Sequence, residues 1–287
     1  MRWSKGDRGN IDDERASSGG GMGGGVQLGL GGVVLLLVLS WATGTDFLSL
    51  VNQGGGVPSS QSSGQQAGEL QTTPEEERLV DMVDAVAGDT QATWQQILGD
   101  RYEKTQVVLF RDATQSGCGA AESATGPFYC PSDHKVYLDL GFFNELSQRF
   151  GAPGDFAEAY VVAHEFGHHI QNLLGTNERV RAGSQGANST SVALELQADC
   201  YAGVWGHEAS KGGRFAAGKV ELDPGDAEEA LRAASMIGDD HLQKMATGRV
   251  QPERFTHGSS AQRMEWFQRG MKSGDPRQCD TFAALSQ

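Results

Sequence analysis

Positive charge is scarce in this chain. Its 287 residues carry 23 Lys and Arg against 37 Asp and Glu, a formal net charge of −14. A nucleic-acid partner requires clustered basic residues, so that class is excluded; the acidity serves solubility. Cysteine is sparse as well: there are four, none in C-x-x-C spacing, which argues against a structural zinc held by four thiolates. There is no internal repeat and only one long apolar run. Glycine is abundant, 40 residues, but concentrated in runs such as SSGGGMGGGV that read as low-complexity chain. The length alone supports one sizeable domain whose core needs neither metal nor disulfide.

The apolar run is VQLGLGGVVLLLVLSWAT, Val26 to Thr43, without a charge. As a helix it would be roughly 27 Å long, close to a bilayer core. A single transmembrane helix over 26–43 is expected; a buried helix or a cleaved signal peptide is the rival, but no A-x-A pattern follows. Arg2, Lys5, Arg8 and Arg15 precede the run and the next basic residue is Arg78, so the N-terminus is expected in the cytoplasm and the remainder outside. The expected organisation is a disordered cytoplasmic tail (1–25), the span (26–43), a flexible Gly/Ser/Gln linker (44–72) and a folded domain (73–287). That domain should open with a helix, since Thr73 can cap it, Pro74 suits its first position and Glu76 can complete a capping box.

An extracytoplasmic domain with an even number of cysteines favours disulfides. Three pairings are possible. The short loop CGAAESATGPFYC favours Cys118 with Cys130, which leaves Cys200 with Cys279.

Strands are expected at QVVLF (106–110) and KVYLDL (135–140), and helices dominate from Gly154 to about Gly270. Within the helix from Asp155 to Leu174, the apolar stripe Phe156, Tyr160, Ala163, Ile170, Leu174 includes Gly167, and Gly175 should end it. This helix contains HEFGH. His164 and His168 stand one turn apart on one face, so both imidazoles can reach one ion, and Glu165 lies toward the neighbouring face. Two neutral imidazoles holding Zn²⁺ beside a carboxylate is the chemistry of a zinc peptidase, with Glu165 as general base. The rival is a solvated helix face; His169 is read as such a spare residue.

A catalytic zinc needs a third protein ligand. The pattern H-E-x-x-H-x-x-G-x-x-H fails, because Gln171 and Leu174 stand where its Gly and last His belong. A second helix, SVALELQADCYAGVW at 191–205, offers Glu195 and Asp199 four apart. Glu195 is the expected ligand. Asp199, one turn on, can accept the second N–H of a ligating histidine; spacing alone does not decide which of the two meets the metal.

HEFGHHIQNLLG followed by LELQADCYAGVW, with SGCGAAESATGPFYCPSDHKVYLDLGFF before and FTHGSSAQRMEWFQRG after, resembles the bacterial neutral zinc metallopeptidase family over about Glu76 to Phe282. The resemblance implies a membrane-anchored, zincin-like domain. By analogy with the gluzincins, His164, His168 and Glu195 would bind zinc, Glu165 would be the base and Asp199 would orient a ligand. Gluzincins often place a downstream donor on the oxyanion; His257 is the candidate here, Arg263 and Tyr201 weaker ones. The competing view of His257 is a helix cap near Ser259 or a core hydrogen bond. His134, His207 and His241 are given no role.

The expectation is an α+β, mainly helical zincin-like domain that hydrolyses peptide bonds in extracytoplasmic protein at the bacterial cytoplasmic membrane. The rivals are a catalytically silent, zinc-binding tethered scaffold and a zinc hydrolase of another amide.

Overall fold

The computed structural model describes residues 1–16, 70–181, 183–211 and 219–284. Regular structure begins at the N-terminus, with strands β1 (Arg2–Trp3) and β2 (Ile11–Asp13). Helix α1 (Pro74–Leu98) follows, its start fixed by the Thr73 hydroxyl, which accepts the Glu76 N–H. The expected capping box does not close, because Arg15 and Arg111 take the Glu76 carboxylate. Next come β3 (Val107–Phe110), β4 (Ala113–Ser116), β5 (Gly119–Glu122), β6 (Phe128–Cys130) and β7 (Lys135–Asp139). The rest is almost wholly helical: α2 (Gly141–Gln148), α3 (Asp155–Leu173), α4 (Thr190–Ala209), the short β8 (Val220–Glu221), then α5 (Asp226–Met236), α6 (Asp239–Thr247), α7 (Ser260–Ser273) and α8 (Thr281–Ala284). The class is α+β and mainly helical, as expected.

The main sheet has the order β2-β3-β7-β6, parallel except for β6. Every residue of β3 is buried, as a parallel strand covered on both faces requires. β1 pairs antiparallel with β8, and β4 with β5. The four cysteines form the two favoured bridges, Cys118–Cys130 and Cys200–Cys279.

The disordered tail expected at 1–25 is corrected for residues 1–16. Trp3 and Ile11 pack against the core, and β2 runs beside β3 in the register Ile11 to Val107. All four basic residues of the segment meet carboxylates of the domain: Arg2 on Glu221 and Asp223, Lys5 on Asp81, Arg8 on Glu77 and Asp81, Arg15 on Glu76 and Glu77. The domain carboxylates that these cations meet lie more than 60 positions away in sequence, as with Arg15 and Glu77, so composition alone suggested solvated chain. The expected span at 26–43 and the linker as far as residue 69 lie outside the described residues. Among the described residues, no helix is long and apolar enough to cross a membrane.

α4 is apolar nearly all round and buried on every side, the mark of a helix inside a core. It is held between α3 and α7 by bare backbone. A Cβ on Gly270 would stand 2.0 Å from the Cys200 carbonyl oxygen, and one on Gly203 would stand 2.2 Å from that of Phe267. Neither oxygen can move without breaking a helix, so Gly270→Ala should destabilise the fold by about 1–3 kcal/mol. Urea denaturation checks this; an unchanged midpoint would mean that α4 and α7 are not in backbone contact.

Candidate metal centre

α3 and α4 build the site between them. On α3 the side chains of Phe156, Ala163, Phe166 and Ile170 are buried in the core, while His164 and His168 meet carboxylates of α4. Gly167 lies between them. A Cβ there would be 2.9 Å from both Cα and O of Ala198, so only glycine lets α4 approach closely enough to bring Glu195 and Asp199 over the two histidines. Leu174, assigned to the apolar stripe, is instead exposed, since the helix has already ended at Leu173 and Gly175 takes the left-handed conformation.

His164 Nε2 and His168 Nε2 lie 3.2 and 3.6 Å from the same oxygen, Glu195 Oε2. The three ligand atoms lie within 4.8 Å of one another, the one group of its kind among the described residues. Donors about 2.1 Å from a shared tetrahedral centre are about 3.4 Å apart, and the two separations to Glu195 Oε2 bracket that spacing. Two nitrogens and one carboxylate oxygen are also the donor set of a catalytic zinc with one open position.

Asp199 is not the third member of this group. Its Oδ1 accepts from His164 Nδ1 at 2.8 Å and from the Tyr160 hydroxyl at 2.5 Å. Arg263 grips the same carboxylate with two bonds of 2.9 Å, Nε to Oδ2 and Nη2 to Oδ1. His168 Nδ1 faces Gln171 Oε1 at 2.8 Å. Each histidine thus has its Nδ1 engaged and its Nε2 turned to Glu195.

The charges reinforce one another. Burial opposes ionisation of the imidazoles, yet the Glu195 carboxylate outweighs it and raises His168 to about 9; for His164, Asp199 does the same. Burial likewise pushes the carboxyls up, but the histidines hold Glu195 well below its usual range, and Arg263 and His164 hold Asp199 at about 2. The centre therefore keeps its carboxylates ionised and calls for compensating positive charge, from protons on the imidazoles or from a cation.

Glu165 is buried, and its charge is among those acting on His168. His257 stands at the rim with a half-exposed side chain. It does not cap α7: Ser259 does, in a capping box with Gln262. Its Nδ1 contacts Thr256 Oγ1 at 2.9 Å and Asp239 Oδ1 at 3.5 Å, and Asp239 Oδ2 accepts the N–H groups of Thr256, His257 and Gly258. Burial lowers its pKa, but Glu195 and Asp239 more than offset this and raise it.

Three further expectations are corrected. Arg263 cannot serve an oxyanion, because it is buried and spent on Asp199. Tyr201 is a core residue, edge-on to Trp94 with centroids 5.1 Å apart. His169 is no solvated spare: it is fully buried between the Tyr129 hydroxyl and the Glu103 carbonyl. Sequence reasoning missed Tyr160 and Gln171 as orienting groups. The signal was present, for Tyr160 precedes His164 by four residues and Gln171 follows His168 by three, both on the histidines' side of the helix.

A family model described as "Putative neutral zinc metallopeptidase" matches residues 1–282. The uncharacterized protein YpfJ of Escherichia coli (strain K12) is 45% identical over 297 residues, covering 98% of this chain and 99% of the relative. The uncharacterized protein Rv2575 of Mycobacterium tuberculosis (strain H37Rv) is 48% identical over 204 residues, 70% of this chain and 69% of its own. No solved structure matches.

Residues in direct contact within a charge network couple by 0.5–3 kcal/mol, and removing one member of a buried ion pair costs about 3–5 kcal/mol. Arg263→Met should therefore cost about 3 kcal/mol or more, and much less when Asp199→Asn is already present. A double-mutant cycle in urea measures the coupling; additive effects would show that the pair does not brace the site.

Proposed function

Because the chain belongs to the neutral zinc metallopeptidase family, we propose that it is a zinc-dependent peptidase whose centre is His164, His168 and Glu195, with Glu165 as general base. The observation that carries this reading is the convergence of the two Nε2 atoms and one carboxylate oxygen from α3 and α4 within 4.8 Å of one another. Bound Zn²⁺ would supply Lewis acidity, polarising the scissile carbonyl and making a water acidic near neutral pH.

The remaining steps fall to the chain's own residues. Glu165 would take the proton of the attacking water and deliver it to the leaving amine nitrogen. His257 is proposed as the donor for the developing oxyanion, supported by its place at the rim and its raised pKa. Asp199 keeps the His164 ring oriented, a task for which the buried Arg263 supplies the counter-charge. The two disulfides favour an oxidising compartment, and the apolar run at 26–43 supports attachment to the bacterial cytoplasmic membrane. The substrate class is extracytoplasmic protein or peptide.

Elemental mass spectrometry of the full chain tests the centre first: one zinc per chain is expected, lost or loosened in Glu195→Ala. Glu165→Gln should keep the zinc and cut hydrolysis of an unstructured protein such as casein by roughly 10²–10⁴-fold. A well-folded wild type without zinc would overturn the proposal, while zinc without any hydrolysis would leave a tethered zinc-binding scaffold.

A further inference from the structure

Resting on that reading of the centre, we propose that Gln171 is the positioning residue of His168, and that a relay through Gln171 and Gln197 selects the nitrogen His168 offers to the ion. The relay has a direction fixed by two backbone carbonyls, which can only accept. Gln171 Nε2 lies 2.7 Å from the Leu194 carbonyl oxygen, so that end of the amide is the donor and the end toward His168 is the oxygen. An oxygen acceptor 2.8 Å from His168 Nδ1 requires the proton on Nδ1. The neutral ring then carries its lone pair on Nε2, the atom that faces Glu195.

Gln197 repeats the logic one step out. Its Nε2 donates to the Cys279 carbonyl at 2.9 Å, so its Oε1 accepts the second N–H of Gln171 at 3.2 Å. Both glutamines are buried, and a reversed amide would set N–H against N–H or carbonyl against carbonyl out of water's reach. Cys279 is bonded to Cys200 on α4, the helix that also supplies Leu194 and Glu195. The outermost acceptor is thus tied covalently to the helix bearing the third ligand. A ligating histidine ordinarily donates its other N–H to a carboxylate, a backbone carbonyl or water; His164 has a carboxylate in Asp199, whereas His168 has a neutral side-chain amide.

The test is zinc affinity of the full chain by competition with a chelating dye, combined with ¹H–¹⁵N spectra of ¹⁵N-histidine-labelled protein loaded with zinc. Gln171→Leu should weaken zinc by about 10–100-fold and abolish the slowly exchanging Nδ1–H of His168, while the Nδ1–H of His164 on Asp199 persists as an internal control. Gln197→Met, one step out, should give a smaller loss at the same ring. Zinc affinity unchanged in Gln171→Leu, or a wild-type His168 protonated on Nε2, would overturn the relay and leave the metal centre standing. A wild type that holds no zinc would sink the centre itself.

A different observation concerns sidedness. We infer that residues 1–16 and the catalytic domain lie on the same face of the membrane. β2 is hydrogen-bonded to β3 and β1 to β8, and Arg15, only 5% exposed, is shared among Asp13, Glu76 and Glu77. No bilayer can separate strands of one sheet. A topology with residues 1–16 on one face and the domain on the other is incompatible with these shared sheets, in contrast to the opposite-sided orientation read from Lys and Arg bias. Arg2, Lys5, Arg8 and Arg15, the residues behind that bias, are all paired with the domain. Their charge is neutralised there and does not report on anionic lipid.

Arg2 and Glu221 face each other in the β1–β8 register, so Arg2→Cys with Glu221→Cys should cross-link in the envelope without added oxidant, there being no free native cysteine to compete. An impermeant maleimide on intact spheroplasts should label Arg2→Cys alone to the same extent as Met245→Cys, both being exposed side chains. Labelling of Arg2→Cys only after lysis, with Met245→Cys labelled before it, would overturn the inference.

Discussion

The site depends on how closely α3 and α4 approach, and that is decided where Gly167 meets Ala198. Side chains at the contact set how closely two helices approach, with axes ordinarily about 8–10 Å apart. With no Cβ at Gly167, the Ala198 backbone fits into the gap between His164 and His168. Glu195 and Asp199, one turn apart on α4, then address two different edges of the same cluster: Glu195 meets both Nε2 atoms and Asp199 meets a single Nδ1. Which carboxylate lies against the two Nε2 atoms is set by the register of this crossing, something that spacing along either helix leaves open.

Drawing four ionisable groups into one buried place carries a desolvation cost that the rest of the fold must offset. Asp199 has no contact with water, and it stays charged because Arg263 and Tyr160 complete its shell of donors. Arg263 reaches it from α7, which lies against α4 through the Gly203 and Gly270 contacts. The same device, bare backbone at a helix crossing, thus acts twice: once to bring His164, His168 and Glu195 together and once to bring the counter-charge behind them. On the other flank the same problem is solved without charge, by an amide chain ending on backbone carbonyls.

Much of this was legible in the sequence, and for physical reasons. The helix start at Thr73, the strands at 107–110 and 135–139 and the helices bearing HEFGH and LELQAD follow from local rules of capping and periodicity. His164, His168 and Glu195 are brought together as the motifs suggested. What local rules could not supply was partnership across the fold. Arg263 offers a donor to anything in reach, and only its burial against Asp199 removes it from the chemistry. Tyr201 and His169 carry reactive groups in the right stretch of sequence, yet each faces a core neighbour instead.

The N-terminal residues are the sharpest case of the same limit. Read along the chain, four basic residues before an apolar run and none after it until Arg78 is a topological signal, because charge bias acts on chain segments that do not otherwise fold. Its force lapses once the segment has a folded partner: Trp3 and Ile11 reach the core, β2 extends the sheet by one strand, and each cation finds a carboxylate on α1 or beside β8. Burial of Arg15 with three carboxylates around it would be costly to undo, since withdrawing the guanidinium leaves those acids to repel one another. Two of those acids, Glu76 and Glu77, open α1, the helix against which β1 and α3 also pack. The segment before the apolar run is therefore structural to the domain that follows it, and a chain trimmed to residue 73 onward would expose the edge of β3 and an unpaired acidic face.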